Sequence, residues 1–466
     1  MAAPPAQGRS ARLIEGPVAG HLLRLTGPMV MGVMATMLFN LMDTFYVARL
    51  GGDPLAAMGY TFPIAALVHS LSLGLMVGAS TVLARLIGAG QLEQVRRITT
   101  DALLLSALLI VALGAAGLLT LRPLFTALGA DARLLPLIAD YMVPYYLGAW
   151  LLVVPIVGNG AIRATGDTRM PSLIMMIAAI VNMVLDPFLI YGLGPFPRWE
   201  LRGAAVASIC AWSITFVAAL TILGRRERML ARPDLRLRSL WTSWTAVLRM
   251  AVPVGFTNLV LPLSAGVITR MLSAFGAFAV AGYAVGVRVE MISLIGPMAM
   301  TAALSPFVGQ NAGASRPERV QEALRTAVRW CWIWGGVACV VLFLLADRIA
   351  GLFSAESDVV RAAALYLSVL PFCYGAMTSC FQITTTLNAL HRPFTSTLIA
   401  LVRMFVLAIP LAWFGAQYAG VFGLFAGLAA GNLLAGVLAY VWVWRFLGGG
   451  RESGGVGGSG RCSVCR

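Results

Sequence analysis

Two acids stand inside long apolar runs of this chain. Asp43 falls in Asn40-Leu41-Met42-Asp43-Thr44, and Asp186 in Asn182-Met183-Val184-Leu185-Asp186-Pro187. An ionised Asp at the centre of a membrane helix costs about 2.5–3.5 kcal/mol, so it normally faces a cavity or a partner. Asn40 and Asp43 are spaced i,i+3, and Asn182 and Asp186 i,i+4, so each pair shares a helix face. If those faces converge, two carboxylates and two amides surround a small polar cavity. Such oxygens suit a hard cation such as Na⁺. They equally suit a proton site, because burial and a nearby like charge favour the protonated carboxyl. The plainer alternative is a pair of structural polar anchors near helix ends.

Other residues could join or adjoin such a site. Tyr141 and Asn159 lie 18 residues apart in one apolar run, which is five helical turns and nearly one face. Asn159 is a cavity candidate, whereas Tyr141 could instead be an interfacial aromatic. Pro28 marks either a helix bend that moves or an ordinary first-turn proline. Arg288 and Glu290 share an apolar run farther along, with Arg403 in another. At i,i+2, Arg288 and Glu290 do not face each other, so each needs another partner. A structural ion pair is the default, with Arg403 as a candidate, and a place in a substrate cavity is the alternative. The 21 Met, including Met29, Met31, Met34, Met37 and Met42, suit a soft cavity for varied ligands, although Met also suits any apolar helix.

Several classes of chemistry find no support. The chain has no Lys and no Gly-x-x-x-x-Gly-Lys-Ser/Thr motif, which argues against ATP hydrolysis by this polypeptide. His21, His69 and His391 are scattered, with no metal spacing and no triad partner. Neither an enzyme nor a resident cofactor is expected.

The elements that must position these residues are membrane helices. Of 466 residues, 59% are apolar and only 11% charged, too few to cover a soluble surface. Mean hydropathy is +0.85. Apolar runs centre near 28–48, 57–82, 101–121, 138–160, 170–192 and 203–224, then 249–273, 279–305, 326–346, 361–388, 394–415 and 419–446. Each can cross a hydrocarbon core of roughly 30 Å. The expected fold is therefore an all-α membrane protein with twelve transmembrane helices in two lobes of six. The expected divisions are an amino-terminal segment 1–24, a first lobe 25–224, a basic linker 225–248, a second lobe 249–446 and a Gly/Ser-rich tail 447–466.

Charge placement orients these spans. All 34 basic residues are Arg; with both termini inside, 24 lie on the cytoplasmic side and 8 on the other. That is a positive-inside bias. The net charge of +15 carries no basic stripe with interleaved aromatics, so nucleic acid is not an expected partner. The residues before Pro28 read as a cytoplasmic lead-in rather than a signal peptide. Five of the seven Cys lie in apolar runs, and Cys462 with Cys465 forms a lone C-x-x-C, a weak metal or redox signal in a tail that reads as disordered.

The halves repeat. Gly88-Ala89-Gly90-Gln91-Leu92-Glu93-Gln94-Val95 matches Gly313-Ala314-Ser315-Arg316-Pro317-Glu318-Arg319-Val320 in Gly, Ala, Glu and Val at an offset of 225, which Pro28 and Pro253 share. Gly59-Tyr60 and Gly282-Tyr283 match at 223, and Asn159 with Arg163 matches Asn388 with Arg392 at 229. Repeats with an even number of spans enter the membrane from the same side, as in transporters whose substrate sits between two lobes.

These strings resemble the MATE (multidrug and toxic compound extrusion) family over roughly residues 25–446. The resemblance is carried by Pro28 through Asn40, Asp43, Gly51, Ala56-Ala57 and Gly59 to Pro63, then Asn159 through Asp167, Asn182 to Pro187 and Gly203-Ala204-Ala205. Arg288-Val289-Glu290 through Pro306 to Gly313-Ala314 is similar to its DinF-like branch. The resemblance implies a V of two lobes around a central cavity and export of organic, often cationic, compounds in exchange for H⁺ or Na⁺. It places the cation site on Asp43, Asn182 and Asp186, with Tyr141 and Asn159 in the adjoining network and Ser208 at a position often Thr. Another branch has acids in its second lobe, but an offset of 225 puts Ile268 opposite Asp43 here, so coupling is expected in the first lobe. The bacterial or archaeal cytoplasmic membrane is the expected location, and a monomer the expected state. A flippase for lipid-linked precursors, or a membrane scaffold or receptor that transports nothing, is the alternative.

Overall fold

The computed structural model describes residues 13–234 and 236–448; Arg9, Arg12, Cys462 and Cys465 lie outside them. Every regular element among the described residues is helical. The first six spans are α1 (Val18–Ala48), α2 (Gly52–Gly88), α3 (Leu92–Ala127), α4 (Leu135–Ala164), α5 (Arg169–Tyr191) and α6 (Glu200–Thr221), the last continued by a π-helical turn to Arg226. α7 (Leu237–Ser273) opens the second set.

Three of the later spans are broken, each for a local reason. α8 (Ala277–Ser293) and α9 (Ile295–Gly313) meet at a 49° bend. Pro297 has no N–H to return to the Ser293 carbonyl. That oxygen instead accepts from Trp334 Nε1 at 2.7 Å, on α10 (Pro317–Gly351). α11 (Ser357–Val369) passes through a 3₁₀ turn containing Pro371 into α12 (Tyr374–Ala389). α13 (Pro393–Leu401), a π-helical turn over Val402–Ala408, and α14 (Ile409–Gly448) follow without interruption. A straight helix over the 53 apolar residues Pro393–Arg445 would reach about 80 Å, far beyond one bilayer. It folds back at Ala419 (φ −136°) and Gly420 (φ +56°). Gly415 lies against Gly423, Gly427 against Leu411 and Gly431 against Ala408, so the two arms form a tight antiparallel hairpin. With that break counted, the spans among the described residues number twelve.

The repeat extends to the backbone. Gly51 and Gly276 (φ +122° and +108°), Gly90 and Ser315 (+73° and +57°), and Gly166 and His391 (+85° and +61°) are left-handed, all at an offset of 225. Ser315 and His391 hold this conformation although it costs an L-residue about 1–2 kcal/mol. α2 maps onto 277–313, and the end of α4 onto the end of α12. In that register Asn388 aligns with Arg163, and Tyr283 with Met58. The matches at 229 and 223 are therefore slips of one turn and of two residues, not equivalent positions.

The described residues divide into two compact units, one of Gly27–Gly255 and one of Leu13–Thr26 with 256–448. The divisions fall inside α1 beside Pro28 and inside α7 beside Pro253. Pro28 stands ten residues into α1, so it is an interior proline, and the helix runs on through it. In the first unit α4 is the central helix, packed on α2, α3 and α6. The opening turns of α7 lie against α2 there, where a Cβ on Gly74 would come within 2.6 Å of the Ala251 carbonyl. Such small residues let membrane helices approach closely. The linker is tied to the same unit: Arg226 pairs with Asp167 at 2.8 Å, Arg96 Nε donates to the Arg228 carbonyl at 3.0 Å, and Arg97 Nη2 to the Ser239 carbonyl at 2.8 Å.

In the second unit α12 is central, packed on α9, α10 and α14. The residues leading into α1 belong here. Leu13 donates its N–H to Gln310 Oε1 at 3.2 Å, and its carbonyl accepts from Asn311 Nδ2 at 3.1 Å. Arg316 donates to the Ile14 carbonyl at 2.7 Å and Arg319 to the Gly16 carbonyl at 2.9 Å, while Leu13, Val18 and Leu22 are buried beneath.

Candidate functional site

The first unit gathers four of the sequence candidates at one end of its bundle. Asp43 sits five residues before the end of α1, Asp186 five before the end of α5, and Ser208 in the third turn of α6. α5 packs on α6, and the Tyr191 hydroxyl on α5 donates to the Tyr46 carbonyl on α1 at 2.8 Å, which ties the ends of those two helices together. Asn182 is the hub: its Nδ2 donates to Asp186 Oδ1 at 3.2 Å and to Ser208 Oγ at 3.4 Å. Pro187 leaves the Met183 carbonyl without its helical donor, one turn from Asp186. Asn182, Asp186, Ser208 and Asp43 are all buried, at 0%, 0%, 3% and 6% exposure.

The decisive feature is what this cluster lacks. Asp43 Oδ1, Asp186 Oδ2 and Asn182 Oδ1 are buried and accept no hydrogen bond. No cationic side chain pairs with either acid among the described residues. Each unsatisfied buried acceptor costs roughly 1–3 kcal/mol, and more when charged. Three such oxygens in one place form an acceptor-rich cradle, with Asp43 and Asp186 within electrostatic reach of each other. A proton or a hard monovalent cation would supply the missing positive partner. The donor set of two carboxylates, an amide oxygen and a hydroxyl is all oxygen, which fits Na⁺. No group of three or more His, Cys, Asp or Glu gathers among the described residues, so nothing there is built for a transition metal.

Tyr141 is buried next to the cluster, within electrostatic reach of both acids. Its ring stacks on Tyr145 at 6.1 Å, and Tyr145 meets Trp212 edge-on at 5.7 Å. It forms part of the aromatic wall, with no hydrogen bond to either acid. Asn159 is elsewhere: five turns of α4 carry it about 27 Å along the helix, where its Oδ1 is buried and unpaired. Asn40 also stays out of the cluster. It is exposed and its Nδ2 donates to the Thr36 carbonyl at 3.0 Å, so the expected second amide is turned back onto its own helix.

In the second unit, Glu290 and Arg288 part company. Arg288 is exposed, whereas the Glu290 carboxylate turns inward and accepts from the Tyr366 hydroxyl at 2.6 Å and the Tyr374 hydroxyl at 3.3 Å. Arg403 is buried within electrostatic reach of Glu290, but no ion pair joins them. Its guanidinium lies 4.9 Å over the Phe381 ring, with Nη1 unpaired. The two tyrosines were not legible as partners because they stand 76 and 84 residues from Glu290, with no local spacing to mark them.

The comparisons agree with this architecture. The family model described as MatE matches residues 28–188 and 253–414, one stretch in each half. The FAD transporter of Shewanella oneidensis is 40% identical over 433 residues, covering 93% of this chain and 96% of that protein. The probable multidrug resistance protein YoeA of Bacillus subtilis is 23% identical over 404 residues, 85% of this chain and 87% of that protein. Among solved structures, the Vibrio cholerae MATE transporter VcmN in the bent form gives a TM-score of 0.88 at 28% identity, covering 93% of this chain and 97% of that one. With twelve spans in two matched sets of six, this chain is a multi-pass membrane protein that belongs to the MATE family of transporters.

Proposed function

We propose that the protein exports a small organic substrate across the cytoplasmic membrane in exchange for H⁺ or Na⁺, which is taken up at Asp43, Asn182 and Asp186 with Ser208 beside them. The observation that carries this reading is the set of three buried, unpaired acceptor oxygens. A bound cation neutralises that cradle and removes the penalty of holding an ionised α1 carboxylate away from water. Release of the cation on the opposite side restores the charge. An ion that binds the two states unequally shifts their balance by its differential affinity. In the second half the buried Glu290 carboxylate already has two hydroxyl donors.

For the substrate, the relative at 40% identity favours a flavin dinucleotide over the organic cation that the family resemblance suggests. A chain whose basic residues are all Arg suits such a ligand, since guanidinium groups bind phosphate bidentately and stack on aromatic rings. The multidrug-named relatives, at 23%, keep cationic dyes in the comparison.

The test is uptake into everted vesicles of FAD and, separately, of a fluorescent cationic dye, under imposed ΔpH or ΔNa⁺, with Asp43→Asn alongside. FAD uptake driven by one gradient and lost in the variant would support the reading and name the ion. Uptake indifferent to both gradients, from folded protein, would overturn the coupling and favour a flippase or scaffold. Dye transport without FAD transport would overturn the substrate alone.

A further inference from the structure

A cavity of about 480 Å³ lies on the second unit between α10, α12 and α14. Arg325, Val328, Arg329 and Trp332 line one side at i, i+3, i+4 and i+7, a single face of α10. Ser379 of α12 and Gly436, Val437 and Tyr440 of α14 complete it. Gly436 lies flush on α12, where a Cβ would come within 2.5 Å of the Ala376 carbonyl, so no side chain at this position fills the space.

Two features give the cavity a ligand chemistry. Neither Arg325 nor Arg329 has an acidic partner among the described residues. Arg325 lies 4.4 Å over the Trp444 ring, which meets Tyr440 edge-on at 5.8 Å, and Trp444 Nε1 is a buried donor without an acceptor. Two uncompensated guanidinium groups and a free indole N–H await an anion with several acceptor oxygens, and phosphate is such a group.

The setting selects among phosphates. Arg325 is eight residues from the start of α10 at Pro317, and Tyr440 eight from the end of α14 at Gly448. Both lie about 12 Å inside their helix ends, the depth of the boundary between headgroups and hydrocarbon. α10 is the least buried span, at 22%, and beyond Trp332 it exposes Ile333, Val337, Val340, Phe343 and Leu344. This flank therefore faces acyl chains rather than water.

We propose that the cavity binds the headgroup phosphate of an anionic phospholipid, with Arg325 and Arg329 on the phosphate and an acyl chain along Val328, Trp332 and Val437. The site belongs to the second unit and the acidic cluster to the first, so lipid binding there does not depend on which ion or substrate the transporter uses.

Native mass spectrometry of the full chain in detergent, with phosphatidylglycerol and phosphatidylcholine of identical acyl chains, tests this. Phosphatidylglycerol should be retained about 30-fold better, as two basic side chains near a membrane surface imply. Arg325→Gln with Arg329→Gln should bring it down to the phosphatidylcholine level, whereas the double Lys variant should keep part of the preference. Val437→Trp, which fills the cavity with the charges intact, should also abolish the preference. Equal retention of both lipids, or full retention by the double Gln variant, would overturn the proposal. Displacement of phosphatidylglycerol by millimolar inorganic phosphate would replace it with a soluble-anion site.

Discussion

The two halves share a backbone register but treat their buried carboxylates in opposite ways. In the first unit, Asn182 donates its amide NH₂ to Asp186 and Ser208, and one oxygen each of Asp43, Asp186 and Asn182 stays open. In the second, Glu290 receives two tyrosine hydroxyls, with Arg403 near by. One half leaves oxygens of both acids open, and the other gives its carboxylate two hydroxyl donors. A buried polar network that is fully satisfied rigidifies its surroundings, whereas one left partly satisfied is ready for a partner. Under the proposed reading, the two halves would do different work: ion exchange in the first and rigidity in the second.

The comparison can be broken most directly at the acids. Asp43→Asn or Asp186→Asn should lower gradient-driven transport about 5–150-fold, the usual span of a coupling free energy. Because each removes an uncompensated charge, the variants should melt no lower than the parent in detergent. A lower melting temperature together with lost transport would indicate a structural anchor instead. Glu290→Gln should behave the opposite way, keeping gradient dependence while losing about 1–2 kcal/mol of stability as two hydroxyls exchange a charged acceptor for a neutral one; thermal melts beside the vesicle assay check this. Ser208→Ala should cost about 0.5–1.5 kcal/mol of ion affinity, read as a roughly twofold to twelvefold higher ion concentration for half-maximal transport. Asn40→Ala should change stability by no more than about 0.5 kcal/mol and leave transport intact, since its side chain serves only its own helix. A transport defect there would return Asn40 to the site.

Much of this was legible in the chain because bilayer length and hydropathy are one-dimensional signals. The twelve spans, the 225-residue offset and the pairing of Asn182 with Asp186 could all be read from spacing. The reach of Pro28 was not, because α1 begins ten residues before the apolar run does, just after a segment whose Leu13 is held by Gln310 and Asn311. The fate of Asn40 turned on rotamer choice between a neighbouring helix and its own carbonyl, which spacing does not encode. Ser315 and His391 hid the repeat's left-handed turns, since neither residue advertises a positive φ as Gly51, Gly90 and Gly166 do. The partners of Glu290 come from helices far along the chain, so only the three-dimensional packing reveals them.

The docking of Leu13 on Gln310 also sets an order of events during synthesis. The socket for Leu13 lies 297 residues downstream. At about 5–20 residues per second, the ribosome takes roughly 15–60 s to reach it. Until then, Leu13, Val18 and Leu22 have no apolar cover from their own unit, so the first helix waits in the bilayer with an unfinished end. The amino-terminal residues are thus among the earliest made and among the last to reach their places.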